Sequence, residues 1–536
     1  MPPTGPRPPP SELLRWLVAL GPFLAAALPN IGAVPIFDGA QYAECTVAVA
    51  GQGIHPWAAN CFGHPGIAWI LPLSLVLKVL GFHAWVANLV AITWGVGALV
   101  AMRRMLDALW PEASGWERAL AVSAIGTLPV FLGSALNPGL DFGLAVFSMY
   151  MLDALVRRRM RVAAAWGLAM TFTKEPGLPI FLIAVASWLL AFVVRQPMGA
   201  VERRTQVKSV LPAVVPPLAF AAYLAARHVL GEELTWSDGS TASPLDELTR
   251  FRLYDRTFLS FCSMLFVVHF SWLASGVALA GAVRGLAGLA VAESGAVRVS
   301  GPVPGRGAFV ALVLLGWAWL LTRHPTFVNA RYLLPAMPLL VVGAGTALLG
   351  LVPRAGARQA FLAILALLFA VESQRLVDPI SRAVYGTFDA GGRAELDATS
   401  LTGECCGHGR DQLVHSLEYL AIGRLVDDAL AGIELGPDDA VGGALRADWF
   451  LVHDVVVGPG GAIQRAYPSP TTARIELFTV RRIGVAPLPA RVYWLELPFV
   501  DGTAELTSLA PQYVLAARTH VERGGVGLDV FELHRR

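Results

Sequence analysis

The chain has 536 residues, of which 55% are hydrophobic and only 15% are charged, and its mean hydropathy is +0.57. This composition is typical of a protein with many membrane-spanning helices, and the length leaves room for an additional soluble domain. The formal net charge of +2 and the lack of a basic patch interleaved with aromatic residues favour membrane lipids over nucleic acid as partners.

The transmembrane part is predicted to follow a disordered, proline-rich leader at residues 1–12 and to occupy residues 13–375. The first apolar run is too long for the core of an ordinary signal peptide, so we expect it to be a retained span. Eleven spans are predicted, at residues 13–34, 84–102, 119–136, 140–156, 162–173, 177–194, 210–230, 257–282, 308–321, 332–352 and 360–371.

The distribution of arginine and lysine predicts the orientation of these spans. Basic clusters lie in alternate loops, which is typical of the cytoplasmic side. The apolar run at residues 66–81 is interpreted as an interfacial or re-entrant helix within a first outer loop at residues 35–83, because counting it as a span would invert every later cluster. With this topology, residues 38–65, 137–141, 174–176, 231–256 and 323–331 all lie outside, together with the C-terminal tail.

Residues 376–536 are predicted to form a small α/β domain outside the membrane, because no apolar run long enough to span follows Arg375. Helical periodicity covers residues 411–430, and strands are predicted at residues 449–457, 473–480, 491–497 and 526–533. The Gly-Pro-Gly-Gly sequence at 458–461 is interpreted as a hairpin turn.

Ionisable residues are concentrated in the predicted outer loops. Asp38, Glu44, His55 and His64 follow the first span, in what we expect to be a loop, and Asp141 begins a later span. A carboxylate held at a membrane face is a candidate catalytic base, although Asp38 could equally serve a turn and Asp141 could cap its helix.

Two further polar positions interrupt apolar runs on the same side. Lys174 and Glu175 separate two spans, and Arg331 and Tyr332 follow a short loop that contains Arg323 and His324. An arginine at the interface is suited to bind phosphate oxygens, whereas in a purely structural role it would extend toward lipid headgroups. Glu44, His55, Glu175, His324 and Tyr332 are the weaker candidates for substrate binding.

The cysteines support smaller expectations. Cys45 and Cys61 share the first outer loop, where an oxidising environment would permit a disulfide, with two free thiols as the alternative. Cys405, Cys406, His408 and His415 could be drawn as a metal site, but adjacent cysteines lack the spacing of a zinc site.

The ordered set of outer-face motifs resembles the GT-C superfamily of integral membrane glycosyltransferases, in the branch of the protein O-mannosyltransferases and aminoarabinose lipid A transferases. The resemblance rests on Asp38-Gly39-Ala40-Gln41-Tyr42-Ala43-Glu44, His64-Pro65, residues 137–141, Lys174-Glu175-Pro176-Gly177 and Arg331-Tyr332-Leu333-Leu334-Pro335. It covers residues 13–371, and it implies a GT-C-like transmembrane domain.

The resemblance implies an enzyme that uses a polyprenyl-phosphate sugar at the outer side of the membrane. Asp38 matches the acidic residue that acts on the acceptor, and Asp141 matches the second acidic position. Lys174 and Arg331 are implied in binding the donor phosphate, as is His64, where related enzymes often have lysine. Gly39 replaces the second acid of the first loop, so a divalent metal is not supported and no cofactor is certain.

The expected reaction is one displacement at the anomeric carbon, which inverts its configuration, with Asp38 as base or as the group that orients the acceptor, and with cations near the departing phosphate. We expect the protein in a bacterial inner membrane, facing the periplasm. The acceptor remains open between lipid, polysaccharide and protein. The alternatives are a transporter of a lipid-linked or small anionic substrate, whose charges would usually lie near the midplane, and a catalytically inactive scaffold of the same fold.

Overall fold

The computed structural model describes residues 10–35, 38–52, 64–194, 207–229, 272–281, 304–321, 330–375, 418–443, 455–457, 463–469, 478, 487–496, 503–523 and 526–536. The helices of the apolar part are α1 (Pro10–Ala27), α2 (Asp38–Gln52), α3 (Ile67–Leu80), α4 (Ala84–Leu109), α5 (Gly115–Thr127), α6 (Pro129–Ala135), α7 (Leu140–Val156), α8 (Met160–Thr171), α9 (Gly177–Leu189), α10 (Val215–Val229), α11 (Trp272–Gly281), α12 (Pro304–Leu321), α13 (Met337–Leu351) and α14 (Ala355–Arg375).

Helix length decides which of these can cross a bilayer alone. Within the described ranges, three helices are long and apolar enough, at Ser11–Asn30, Ala84–Leu109 and Ala355–Ser373. They make the chain an integral membrane protein, but they do not confirm the predicted count of eleven spans. Helix α3 has 14 residues and therefore extends about 21 Å, less than the roughly 30 Å of a hydrocarbon core.

One predicted span is broken in the structure. The apolar run at residues 119–136 forms α5 and α6, whose axes differ by 63°. Pro129 begins α6, and because proline lacks a backbone N–H and disfavours a helical residue before it, Leu128 leaves the helical conformation. The run is therefore a bent pair of helices, and its assignment as one span stays a prediction.

Ion pairs join the helices at one end of the bundle. Arg104 Nη2 lies 2.9 Å from Asp153 Oδ2 at the C-terminal ends of α4 and α7. Arg358 at the start of α14 pairs with Glu117 at the start of α5. These residues belong to the basic loops that the sequence predicts to lie inside.

The C-terminal region forms a four-stranded sheet in the order β1-β4-β6-β5, with a separate pair β2-β3. The strands are β1 (Asp439–Gly443), β2 (Val455–Val457), β3 (Ile463–Arg465), β4 (Arg491–Glu496), β5 (Tyr513–Arg523) and β6 (Val526–Arg535), and the helices are α15 (Glu418–Ala431) and α16 (Thr503–Leu509). Strand β1 pairs with β4 in parallel, and the other pairings are antiparallel.

Several predicted elements coincide with this sheet. Strands β4 and β6 match the runs at 491–497 and 526–533, and α15 matches the described part of 411–430. Strand β2 covers only the end of 449–457, while of 473–480 only Phe478 is described, in a bridge to Gly442. Strands β1, β3 and β5 were not predicted. The turn at 458–461 lies outside the described residues.

The C-terminal sheet region contacts the helical bundle near the start of α2. Arg424 Nη2 donates a hydrogen bond to Asn30 Oδ1 at 3.1 Å. Tyr467 is buried in a cluster that includes Ala43 and Val47 of α2 and Leu77 of α3. The region therefore packs directly on the helix that begins with Asp38.

Candidate active site

The segment that begins with Asp38 is helical rather than a loop. Asp38 lies in the first turn of α2, where a carboxylate is favoured by the helix dipole. Tyr42 follows one turn later, so both side chains lie on the same face. The Asp38 side chain is 26% exposed, whereas Tyr42 is buried. Asp38 therefore lies on a helix that packs against the bundle, and not in the predicted loop.

Helix α7 brings the second carboxylate to the same end of the bundle. It begins after Gly139, and Asp141 lies in its first turn. The preceding segment packs on α2, because a Cβ atom added to Gly39 would lie 1.9 Å from Asn137 Oδ1 and one added to Gly139 would lie 3.5 Å from Tyr42. Gly39 thus allows α2 to approach this segment closely, whereas a Cβ atom at Gly139 would make only an ordinary van der Waals contact.

Four charged side chains from distant parts of the sequence meet here, and we call them the charge cluster: Asp38, Asp141, Lys174 and Arg331. Arg331 Nη2 donates to Asp38 Oδ2, and Arg331 Nε lies 3.2 Å from Asp141 Oδ2. Lys174 Nζ donates to Asp141 Oδ1 at 2.7 Å. Arg331 therefore joins both predicted catalytic carboxylates.

The cations keep their charge despite burial. Burial lowers the pKa of Lys174, but the Asp141 carboxylate outweighs that effect and leaves the pKa above its usual value. Burial also lowers the pKa of Arg331, while Asp38 and Asp141 raise it well above its usual value overall. Two permanent cations next to two acids form a site that can bind an oxyanion and retain a carboxylate.

Two tyrosines complete the surroundings of the cluster. Lys174 Nζ lies 4.4 Å from the centre of the Tyr332 ring, which adds a cation–π contact. Burial, followed by the charges of Asp38 and Asp141, raises the pKa of Tyr42, so its phenol stays neutral. Sequence reasoning missed Tyr42, although its position four residues after Asp38 was a usable signal.

His64 and Glu175 form a hydrogen-bonded pair beside the cluster. His64 Nδ1 and Glu175 Oε2 are 2.7 Å apart, and their side chains are mostly buried, at 20% and 16% exposed. Backbone hydrogen bonds from Gly66 to Thr173 and from Ala68 to Phe172, at 3.2 and 3.1 Å, connect the two segments. The structure thus pairs a predicted phosphate ligand with a weaker candidate.

The remaining sequence candidates are placed less closely or not described. Glu44 also lies on α2, but its side chain is rotated about 240° around the helix axis from that of Asp38. His55 and His324 lie outside the described residues, as do Cys61, Cys405, Cys406, His408 and His415.

Cys45 is disulfide-bonded. Among the residues that the structure describes, no group of three or more His, Cys, Asp or Glu side chains could hold a metal ion.

Comparison with known proteins identifies the fold. No family model and no curated protein matches the sequence. ArnT from Cupriavidus metallidurans in the apo state matches with a TM-score of 0.53 and 16% identity over 97% of both chains. ArnT bound to undecaprenyl phosphate matches with a TM-score of 0.54 and 17% identity over the same 97% of each chain.

A weaker match is the oligosaccharyltransferase of Archaeoglobus fulgidus, with a TM-score of 0.40, 12% identity and coverage of 69% of this chain and 53% of that chain. ArnT belongs to the GT-C superfamily. The resemblance predicted from the outer-face motifs is therefore confirmed as a shared fold.

Proposed function

We propose that the protein is a membrane glycosyltransferase that transfers a sugar from a polyprenyl-phosphate donor to an acceptor at the outer face of the membrane. The observation that carries this proposal is the charge cluster, in which Arg331 contacts both Asp38 and Asp141. It occurs in a fold shared with a protein solved with undecaprenyl phosphate.

The cations of the cluster suit the donor's phosphate. Guanidinium and ammonium groups bind phosphate oxygens through charge-assisted hydrogen bonds, and in a buried site they are more effective than in water. In the proposed complex, Arg331 and Lys174 stabilise the negative charge that grows on the phosphate as it leaves. Because Arg331 also contacts Asp38, a phosphate bound at Arg331 would bring the anomeric carbon near this carboxylate.

The reaction then needs one base. Asp38 accepts the proton of the acceptor hydroxyl while the acceptor oxygen forms a bond to the anomeric carbon. The bond from that carbon to the phosphate oxygen breaks, and polyprenyl phosphate departs with the electron pair. A single displacement inverts the configuration of the sugar, so retention in the product would exclude this mechanism.

The proposed orientation follows from the two ends of the bundle. Helix α7 carries Asp141 in its first turn and Asp153 near its end, a separation of about 18 Å along the axis. The basic ion pairs at the Asp153 end favour a cytoplasmic position for that end. The charge cluster would then face the periplasm of a bacterial inner membrane.

The test is transfer from labelled polyprenyl-phosphate sugars by the full-length protein in lipid bilayers, with lipid, polysaccharide and protein acceptors supplied. We expect Asp38→Asn to reduce turnover by at least about 100-fold, since it removes the general base. The matched control is Asp153→Asn, which changes a buried, ion-paired carboxylate at the other end of the bundle and should keep near-normal turnover if folded. Full activity of Asp38→Asn would refute the role of Asp38.

A further inference from the structure

Helix α7 ends in a turn of a kind that glycine usually makes. Arg158 has a φ of 58° and is the only residue other than glycine with a positive φ among those that the structure describes. The Arg159 N–H donates to Ala154 O at 2.8 Å, and the Arg158 N–H donates to Leu155 O at 2.9 Å. These two bonds form a Schellman motif, whose left-handed position glycine fills at the lowest cost. The turn itself therefore gives no reason for an arginine.

Arginine is concentrated around this turn. Arg104 lies beside it but is balanced by Asp153, with Nη2 2.9 Å from Oδ2. Four more arginines lie in the turn and at the start of α8, and we call them the arginine turn: Arg157, Arg158, Arg159 and Arg161. Two of them interact electrostatically with Asp153, but in the part of the chain that the structure describes no carboxylate forms an ion pair with any of the four. The arginine turn thus carries unbalanced positive charge, and all its members except Arg157 are exposed.

An exposed apolar stripe on α8 continues from the arginine turn. Val162, Ala165, Trp166 and Ala169 are exposed or partly exposed, and their spacing places them on one side of the helix. The buried residues of α8 lie on the other side. The Trp166 ring stacks on Tyr150 with the centroids 4.6 Å apart, which holds it in place. Cations at one end of an apolar stripe match the headgroup and the acyl chain of an anionic lipid.

We propose that the arginine turn and this stripe bind an anionic phospholipid of the adjacent leaflet, with the headgroup phosphate on the arginines and an acyl chain along α8. Guanidinium groups bind phosphate oxygens through charge-assisted hydrogen bonds, and basic residues at a membrane surface attract anionic lipids. The site lies at the opposite end of the bundle from the charge cluster, so it does not depend on the proposed function. In the proposed orientation, it faces the cytoplasmic leaflet.

A role in membrane topology alone does not explain Arg158. A cation that only keeps the loop on the cytoplasmic side could occupy any position in that loop, whereas position 158 requires a left-handed backbone. A bound phosphate instead requires a cation at a fixed point. The hydrogen bonds of the Schellman motif fix the backbone from which the Arg158 side chain extends.

The experiment measures the binding of fluorescently labelled phosphatidylglycerol and phosphatidylcholine to the full-length protein in detergent. We expect wild type to bind phosphatidylglycerol at least about fivefold more tightly, since each arginine near an anionic headgroup contributes a factor of about five. This preference should shrink as the salt concentration rises. Inorganic phosphate at an equal concentration should not displace the labelled lipid, because it lacks the acyl chain.

Arg158→Gly separates binding from folding, because it should change the two in opposite directions. It removes the cation, so phosphatidylglycerol should bind about fivefold more weakly. It also suits the left-handed backbone, so the melting temperature without added phospholipid should equal that of wild type or exceed it by up to about 2 °C. Arg158→Lys keeps the charge, and its affinity should stay within about twofold of wild type.

Two controls locate the effect. Arg354→Gln removes an exposed arginine that immediately precedes α14, at the same end of the bundle, and Arg331→Gln changes the charge cluster at the other end. Both proteins should bind phosphatidylglycerol like wild type. If Arg158→Gly does not fold, Arg159→Gln provides the comparison without changing the left-handed residue, and it should weaken binding about fivefold.

The inference has clear contrary results. Equal wild-type affinity for the two lipids would overturn it, as would wild-type affinity for phosphatidylglycerol in folded Arg158→Gly or Arg159→Gln. An equal loss in Arg354→Gln would assign the binding to general surface charge, and displacement by inorganic phosphate would assign the site to a free anion. None of these results would affect the proposed donor site.

Discussion

Gly39 lies at the point where α2 packs against the segment before α7. A Cβ atom at this position would lie 1.9 Å from Asn137 Oδ1 and 2.7 Å from Asn137 Cγ, so either the Asn137 side chain or one of the two segments must move. Glycine at position 39, in place of a second acidic residue, therefore fits the close packing of α2 on this segment.

We expect Gly39→Ala to displace the start of α2 and with it Asp38. Overpacking of this kind costs about 1–3 kcal/mol, and we expect transfer activity to fall at least about tenfold, because catalysis depends strongly on the position of the base. The measurements are thermal unfolding and turnover with the polyprenyl-phosphate donor.

Gly51→Ala is the matched control on the same helix, because nothing lies within 4 Å of a Cβ atom at that position. It should be neutral or stabilise the helix by up to about 1 kcal/mol, since alanine loses less backbone entropy than glycine. Equal effects of the two substitutions would show that the close approach at Gly39 does not matter.

The charged members of the site were predictable individually. Asp38, Asp141, Lys174 and Arg331 interrupt apolar sequence, where an ionisable group needs a reason to be present. Their pairing was not predictable, because no sequence pattern tells which carboxylate Arg331 contacts. The same holds for Glu175, whose partner His64 lies 111 positions away.

The secondary structure of α2 could not be recognised from its sequence as easily as that of the spans. Its sequence mixes small apolar and polar residues, and its apolar face, with Ala43 and Val47, packs on α3 and on Tyr467 instead of lipid. Asp38 and Glu44, whose charges suggested a loop, are only partly exposed on this helix.

Two of the three missed strands, β1 and β5, have separate physical explanations. Strand β1 ends in two glycines and is only five residues long, which gives a weak strand signal. Residues 514–520 of β5 are all exposed, so this strand lacks the alternation of buried and exposed residues by which β6 was found. Hydrogen bonds to β6, rather than a hydrophobic pattern, define β5.

The parallel pairing of β1 with β4 contains an ion pair that makes the sheet sensitive to acid. Asp439 lies opposite Arg491 in the register, and its Oδ2 accepts hydrogen bonds from Arg491 Nε at 3.1 Å and from Gly436 N at 2.6 Å. Partial burial raises the pKa of Asp439, but the hydrogen bonds outweigh it and lower the pKa overall.

This direction fixes the pH dependence. Because the pKa of Asp439 is lower in the folded state, its contribution to stability is complete above the unfolded value, about 3.9, and is lost as the pH falls through the folded value. We expect Asp439→Asn to lower the stability of the sheet by roughly 1 kcal/mol near pH 7, since the partner is partly exposed, and to reduce the acid sensitivity of unfolding.

Thermal unfolding and limited proteolysis of the full-length protein between about pH 3 and 7 measure this effect. Asp438→Asn is the control, because Asp438 is exposed and immediately adjacent, and it should leave the profile unchanged. An acid profile that is the same in Asp439→Asn and wild type would assign the acid sensitivity to other carboxylates.

Within the described part of the helical bundle, ion pairs lie at two ends. One end holds the ion pairs of Arg104 with Asp153 and Arg358 with Glu117, and the other holds the charge cluster. The positive-inside pattern predicted this separation, since it placed the outer motifs on one face. The number of spans was harder to predict, because the length of a short or bent helix does not show whether it crosses the bilayer.

The contact between the C-terminal sheet region and the site helix also escaped sequence reasoning. Tyr467 and Ala43 meet in one buried cluster, although they belong to regions of different composition. Contacts between such distant segments depend on the three-dimensional arrangement of the helices, which no local periodicity reports. The C-terminal region therefore packs on α2, and no sequence signal indicated this contact.

The most direct test of the account is the affinity of undecaprenyl phosphate for the full-length protein with Arg331→Gln, compared with Arg104→Gln at the other end of the bundle. Arg331 joins both carboxylates of the charge cluster, whereas Arg104 pairs only with Asp153 among the described ion pairs. Thermal unfolding of both variants checks that each is folded.

The account predicts that Arg331→Gln weakens binding by at least about tenfold, because a charge-assisted contact to phosphate is lost, and that Arg104→Gln binds like wild type. Equal affinity of wild type and a folded Arg331→Gln protein would contradict the assignment of the charge cluster as the site of the donor phosphate.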